Sequence, residues 1–236
     1  MRPVQKSLTG LPTQWAGTPV NPVYCTEHLA PIDKIQGMKR LIPLLLSAVL
    51  LTSFAAAALG NDLDDGNAAF EKKDYAQALA KFESAAAKGN PKAQYNLAVM
   101  HAQGLGTSQN FAKAEKLFEA AATSDFAQAQ IALGLMYSEG RGVAKDDAKA
   151  MHWYRKAAQQ GNAWAQFGLG SMYYAGRGGS NDHVRAHMWL SLAAQAGLAD
   201  AADGRDLVAE GMSADQVKAA LQLAKDCQAQ ALKSCN

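Results

Sequence analysis

The sequence predicts an all-α fold of stacked helical hairpins, and three observations predict it. The chain repeats itself: AQYNLAVMHAQGLGT begins at Ala93, AQIALGLMYSEGRGV at Ala129 and AQFGLGSMYYAGRGG at Ala165, a spacing of 36 residues each time. A fixed period of that length marks an architecture in which each unit buries its apolar face on its neighbours. The aligned apolar residues fall three and four apart, the spacing of one helix face. A side chain able to cap a helix start also recurs at one aligned position, as Asp74, Asn110, Asp146 and Asp182.

Taken from the amino terminus, residues 1–37 hold Pro3, Pro12, Pro19, Pro22 and Pro31 and show no period. They read as a disordered upstream extension, and translation is expected to start at Met38. Met38, Lys39 and Arg40 open a positive n-region, Leu41 to Phe54 form an apolar core, and Ala56, Ala57 and Ala58 supply a small-residue cleavage site. That order of features is a secretory signal peptide over residues 38–58. The expected location is therefore periplasmic or secreted, with no stable membrane anchor after cleavage. A retained anchor is the alternative, because the apolar stretch to Leu59 reaches the lower length limit for a span.

Export also changes the charge. Of 23 Lys and Arg and 21 Asp and Glu, Arg2, Lys6, Lys34, Lys39, Arg40, Glu27 and Asp33 precede residue 61. Without them the formal charge of +2 becomes −1. A nucleic-acid surface needs a concentrated basic footprint, so no nucleic-acid partner is expected.

Four repeats are expected over 62–200, at 62–90, 93–126, 129–162 and 165–198. In the three clear copies helix A carries Leu97, Leu133 and Leu169, then Met100, Met136 and Met172, then His101, Tyr137 and Tyr173. Ala98, Gly134 and Gly170 follow the leucines and are small enough for another helix to approach. The pairs Gly104 and Gly106, Gly140 and Gly142, and Gly176 and Gly178 read as left-handed caps and turns. No strand precedes them, so they are not a phosphate loop.

Helix B follows its cap with Ala114, Phe118, Ala121 and Ala122 in one copy and Ala150, Tyr154, Ala157 and Ala158 in the next. Alternating alanines and one large aromatic suit close helix packing. Lys113, Lys149 and Arg185 read as solvated stems. The first copy, 62–90, has a complete helix B but a shorter turn without the glycine pair.

Residues 201–236 lose the Leu, Met and Gly landmarks and read as C-terminal capping helices, since a solenoid's outer face meets water. Ser213 and Gln216 form a capping box that starts the last helix near Ala214. Cys227 and Cys235 are the only cysteine pair after the extension, and an oxidising compartment makes them a disulfide candidate. A straight helix would hold them about 12 Å apart, beyond the ~7 Å that a bridge tolerates. The helix must therefore end before Cys235 and the tail fold back.

The pattern A-x-x-x-L-G-x-M-Y-x-x-G-x-G-x-x-x-D-x-x-x-A-x-x-W-Y-x-x-A-A, clearest from Ala129 to Asn162, resembles the Sel-one-like repeat (SLR) family, relatives of the tetratricopeptide repeat. The resemblance covers nearly everything after residue 61. It implies a right-handed α/α superhelix with a concave groove lined by helix A, and an adaptor role toward a protein or peptide partner. It supplies no catalytic residue. Secreted cysteine-rich members are linked to β-lactam binding or hydrolysis, but they carry a cysteine pair in each repeat. The clear repeats here contain no cysteine.

By analogy with tetratricopeptide grooves, the inward A-helix positions are Lys92, Tyr95, Val99 and Gln103, then Gln128, Ile131, Leu135 and Glu139, then Trp164, Phe167, Ser171 and Tyr174. Tyr95, Trp164, Phe167 and Tyr174 are candidate partner anchors, because aromatics concentrate binding energy. The alternative places them in packing between repeats. His183 and His187 stand four apart, yet only Asp182 is an obvious further metal ligand where more are needed. No nucleophile elbow or placed carboxylate pair occurs. The expectation is a scaffold without catalysis, cofactor or metal. The alternative is a cell-envelope hydrolase or a cell-wall or β-lactam binder.

Overall fold

The computed structural model describes residues 61–177, 179, 181–233 and 235. The upstream extension and the signal peptide lie outside the described residues, as does Gly178. Among the described residues there are ten helices and no strand. They are α1 Asp62–Glu71, α2 Tyr75–Ala87, α3 Pro91–Gln103, α4 Phe111–Thr123, α5 Ala127–Glu139, α6 Asp147–Gln159, α7 Ala163–Tyr174, α8 His183–Gln195, α9 Ala199–Ala209 and α10 Ala214–Ala229. The fold is an all-α repeat superhelix in which α1, α3, α5 and α7 are the A helices and α2, α4, α6 and α8 the B helices. Each helix from α1 to α8 packs on the next, while α10 returns to pack on α8.

The B helices begin where their caps require. Asp74, Asn110, Asp146 and Asp182 each accept from the backbone N–H three residues on, at 3.1, 2.9, 2.9 and 2.8 Å. The A helices α3 and α5 end on left-handed glycines, Gly104 and Gly140, at φ 70° and 72°. The second glycine of the pair has a further cause. A Cβ on Gly106 would stand 2.7 Å from the carbonyl oxygen of Tyr75, the first residue of α2, and one on Gly142 would fall closer still to the side chain of Phe111, the first residue of α4. The turn of one repeat thus rests on the start of helix B in the repeat before it.

The core alternates small and large between the layers. Phe82, Phe118, Tyr154 and Leu190 are B-helix residues at one aligned position, all buried. Gly66 meets Phe82, Gly134 meets Tyr154 and Gly170 meets Leu190, with a Cβ at each glycine falling 2.6 to 2.7 Å from the ring or side chain. Tyr154 also lies against Gly168 of α7, at 3.3 Å from where a Cβ would stand. One ring therefore fills the space between two successive A helices, and glycine backbone sets the distance on both contacts.

Ser213 and Gln216 close a reciprocal capping box at the start of α10. That helix ends at Ala229, and Ala231 and Leu232 adopt φ 49° and 64° to reverse the chain. Cys227 and Cys235 are then disulfide-bonded with Cα atoms 5.1 Å apart. Both cysteines are buried in the central core, and Gln159 of α6 donates to the Lys233 carbonyl at 3.3 Å. No helix among the described residues is long and apolar enough to cross a membrane.

Candidate functional site

The helix A face divides the sequence-predicted groove residues into two sets. Tyr95 is 6% exposed and Phe167 3%, which corrects their assignment as partner anchors. Tyr95 packs at 5.5 Å between centroids against both Phe118 of α4 and Phe126, the residue before α5. Burial also pushes its phenol up to about 12. Phe167 joins Ala186, Leu190, Ala193, Ala201 and Val208 in the C-terminal core. Val99 and Leu135 are buried as well. These four side chains are covered by neighbouring helices, and that burial is worth about 1.5–3 kcal/mol per side chain.

The second set stays in contact with solvent. Lys92 and Glu139 are exposed, and Gln103, Gln128, Ile131, Trp164, Ser171 and Tyr174 are half-buried. Trp164 meets Phe167 edge-on at 6.4 Å, Tyr174 stacks on His183 at 5.6 Å, and Glu139 pairs with Arg141. Trp164 and Tyr174 lie on α7, while Ile131 packs against the central core on α5. Polar and charged groups stand at both ends of α3 (Lys92, Gln103) and α5 (Gln128, Glu139), whereas the ends of α7 carry the aromatic Trp164 and Tyr174.

The two histidines singled out on α8 diverge. His183 stacks on Tyr174, whereas His187 is 3% exposed with Nδ1 3.3 Å from Ser191 Oγ. Burial first, then Arg205, holds the His187 imidazole below its usual value. Ser191 is 2% exposed, so this serine–histidine contact is closed to a substrate. Among the described residues no group of three or more His, Cys, Asp or Glu could hold a metal ion.

Two repeated features escaped the sequence reading. Gln130 and Gln166 are fully buried at one aligned position, and each side-chain amide donates to a carbonyl at the end of the preceding B helix, Ala122 at 3.1 Å and Ala158 at 3.4 Å. Each adds a second donor to a carbonyl that already accepts from the backbone N–H three residues on, Asp125 to Ala122 at 3.2 Å and Gly161 to Ala158 at 2.9 Å, and so fastens the start of one A helix to the end of the B helix before it. The only signal was a polar residue at every copy of an apolar face. The second feature is a seam contact: Tyr137 on α5 donates to Glu115 of α4 at 2.6 Å, and the Tyr173 hydroxyl accepts from Arg155 of α6 at 3.3 Å.

A family model described as Sel1 repeat matches residues 53–90, 91–126, 127–162 and 165–198. The chain belongs to the Sel1 repeat family. A Sel1 repeat protein from Oxalobacter formigenes is similar at 30% identity and a TM-score of 0.60, over 70% of this chain and 75% of that one. The protein c5321, a protective antigen of uropathogenic Escherichia coli strains displaying an SLR fold, is similar at 27% identity over 66% of this chain and 42% of its own, with a TM-score of 0.49. Among curated proteins none matches. Sel1 repeats generally mediate protein–protein interactions, and proteins built from them are generally non-catalytic scaffolds.

Proposed function

We propose that this Sel1 repeat protein is an exported, non-catalytic scaffold of the bacterial envelope that seats a protein or peptide along its helix A face. The observation that supports this most is the division of that face. Positions shared by all copies are consumed by packing, while Lys92, Gln128 and Trp164, aligned with one another, differ between copies and keep solvent contact. A surface whose exposed residues vary along a fixed scaffold can present a different contact at each repeat. Half-buried Trp164 and Tyr174 supply aromatic area of the kind that anchors interfaces.

The test is capture from envelope extract on immobilised protein, with photo-crosslinkers placed on α3, α5 and α7 or on α4 and α6. Crosslinks should come from the A helices, and a Trp164→Ala, Tyr174→Ala variant with an unchanged thermal melt should lose the partner. Crosslinks confined to α4 and α6, or undiminished capture by the variant, overturn the reading. Export is tested by the intact mass of the native protein, which should begin after residue 58.

A further inference from the structure

The seam contact between repeats has one exception, at His101. Tyr137 and Tyr173 occupy the aligned position in the next two copies, and each reaches the helix B residue 18 positions earlier, Glu119 at 3.5 Å and Arg155 at 3.3 Å. The corresponding residue for His101 is Glu83 of α2. An imidazole is shorter than a phenol, and neither ring nitrogen of His101 has a hydrogen-bond partner although the residue is only 4% exposed. Its surroundings are also charged differently. In the second clear copy Lys149 lies over the Tyr137 ring at 4.8 Å. In the first, the aligned Lys113 of α4 stands at 3.9 Å from Glu83.

We propose that His101 makes the joint between α1–α2 and the rest of the superhelix acid-sensitive, so that protonation of this one ring loosens the first repeat. A proton on His101 creates a charge in a closed seam beside the Lys113 ammonium, and the one carboxylate acting on it, Glu83, is already answering Lys113. Burial first and Lys113 second hold the imidazole below its ordinary value, with Glu83 opposing. The folded ring therefore favours the neutral form. Stability from this site is complete above the unfolded value, about 6.5, and declines as pH falls below it toward the depressed folded value. Asp62 does not titrate in that window, because Lys88, Ser84 and Lys81 hold its carboxyl well below the usual carboxylate range.

Amide exchange of the whole protein, corrected for intrinsic pH dependence, tests this. Between pH 6.5 and 5.5 the protection of α1 and α2 should fall by up to tenfold, while α5, which carries no histidine, keeps its own. His101→Phe and His101→Tyr both remove the titrating ring, and tyrosine is what the aligned copies carry, so either variant should hold its α1–α2 protection constant. Histidine NMR should show a resonance titrating below 6.5, besides those of His152 and His187, that is absent from both variants. Pure His187 effects would map to α8. Constant α1–α2 protection in the wild type, or an equal acid response in His101→Phe and His101→Tyr, overturns the proposal.

Discussion

Tyr154 between its two glycines allows the packing argument to be tested by a pair of identical substitutions with different outcomes. Gly134 and Gly168 are interior residues of α5 and α7, so Gly→Ala gains about 1 kcal/mol of helix propensity at either. At Gly168 the new Cβ would lie 3.3 Å from three ring atoms of Tyr154, and a shift of a few tenths of an ångström accommodates it. At Gly134 it would lie 2.6 Å from two ring atoms and 3.0 Å from a third. The ring would have to retreat by about 1 Å in a site where it is 1% exposed and already touches α7. Overpacking of that kind costs about 1–3 kcal/mol. Gly168→Ala should therefore be near neutral or slightly stabilising, and Gly134→Ala should be less stable than it by about 2 kcal/mol. For a helical region of this size that is a gap of about 4–8 °C in Tm. Urea and thermal unfolding followed by circular dichroism measure it. In a Tyr154→Ala background the order should reverse for Gly134→Ala, which would then show its propensity gain. A Gly134→Ala protein melting at or above Gly168→Ala refutes the reasoning.

Three further outcomes follow from the same structure. Replacing Cys227 and Cys235 with serine opens a short loop, separated by eight residues in sequence, and should cost about 2.5 kcal/mol by loop-closure entropy; reductant should shift the wild type equally and the variant not at all. Asp146→Ala removes the 2.9 Å bond to the Lys149 N–H and should cost about 1 kcal/mol in urea unfolding. Asp62 accepts from Lys88 at 2.5 Å, Ser84 at 2.8 Å and Lys81 at 3.3 Å, which depresses its carboxyl. A depressed carboxylate stabilises above its unfolded value near 3.9 and loses that contribution as pH falls toward the folded value. Asp62→Asn should accordingly melt below wild type at pH 7, with the gap narrowing below about pH 4.

Much of the fold was legible because its signals are local. A cap such as Asp146 acts on an amide three residues away, and Gly140 ends α5 through its own φ, so single residues announce these boundaries. The candidate surface was less legible. Tyr95 and Phe167 share an aligned position with Ile131, and nothing in that spacing distinguishes a solvent-facing side chain from one covered by the next repeat. Tyr95 is covered by Phe118 and Phe126, Phe167 by α8 and α9.

By itself the sequence determined the period, the pairing of helices into hairpins, the B-helix starts and the capping box at Ser213, all of which depend on neighbours within one or two helical turns. Only the tertiary structure decided which helix A residues remain for a partner, why Gly106 and Gly142 must lie on the previous repeat, and how Ala231 and Leu232 reverse the chain to bring Cys235 to Cys227. Those outcomes depend on contacts between repeats, or on backbone angles imposed by docking. A repeat sequence assigns each residue its position within a copy, but the surroundings of that position are set by the copy beside it.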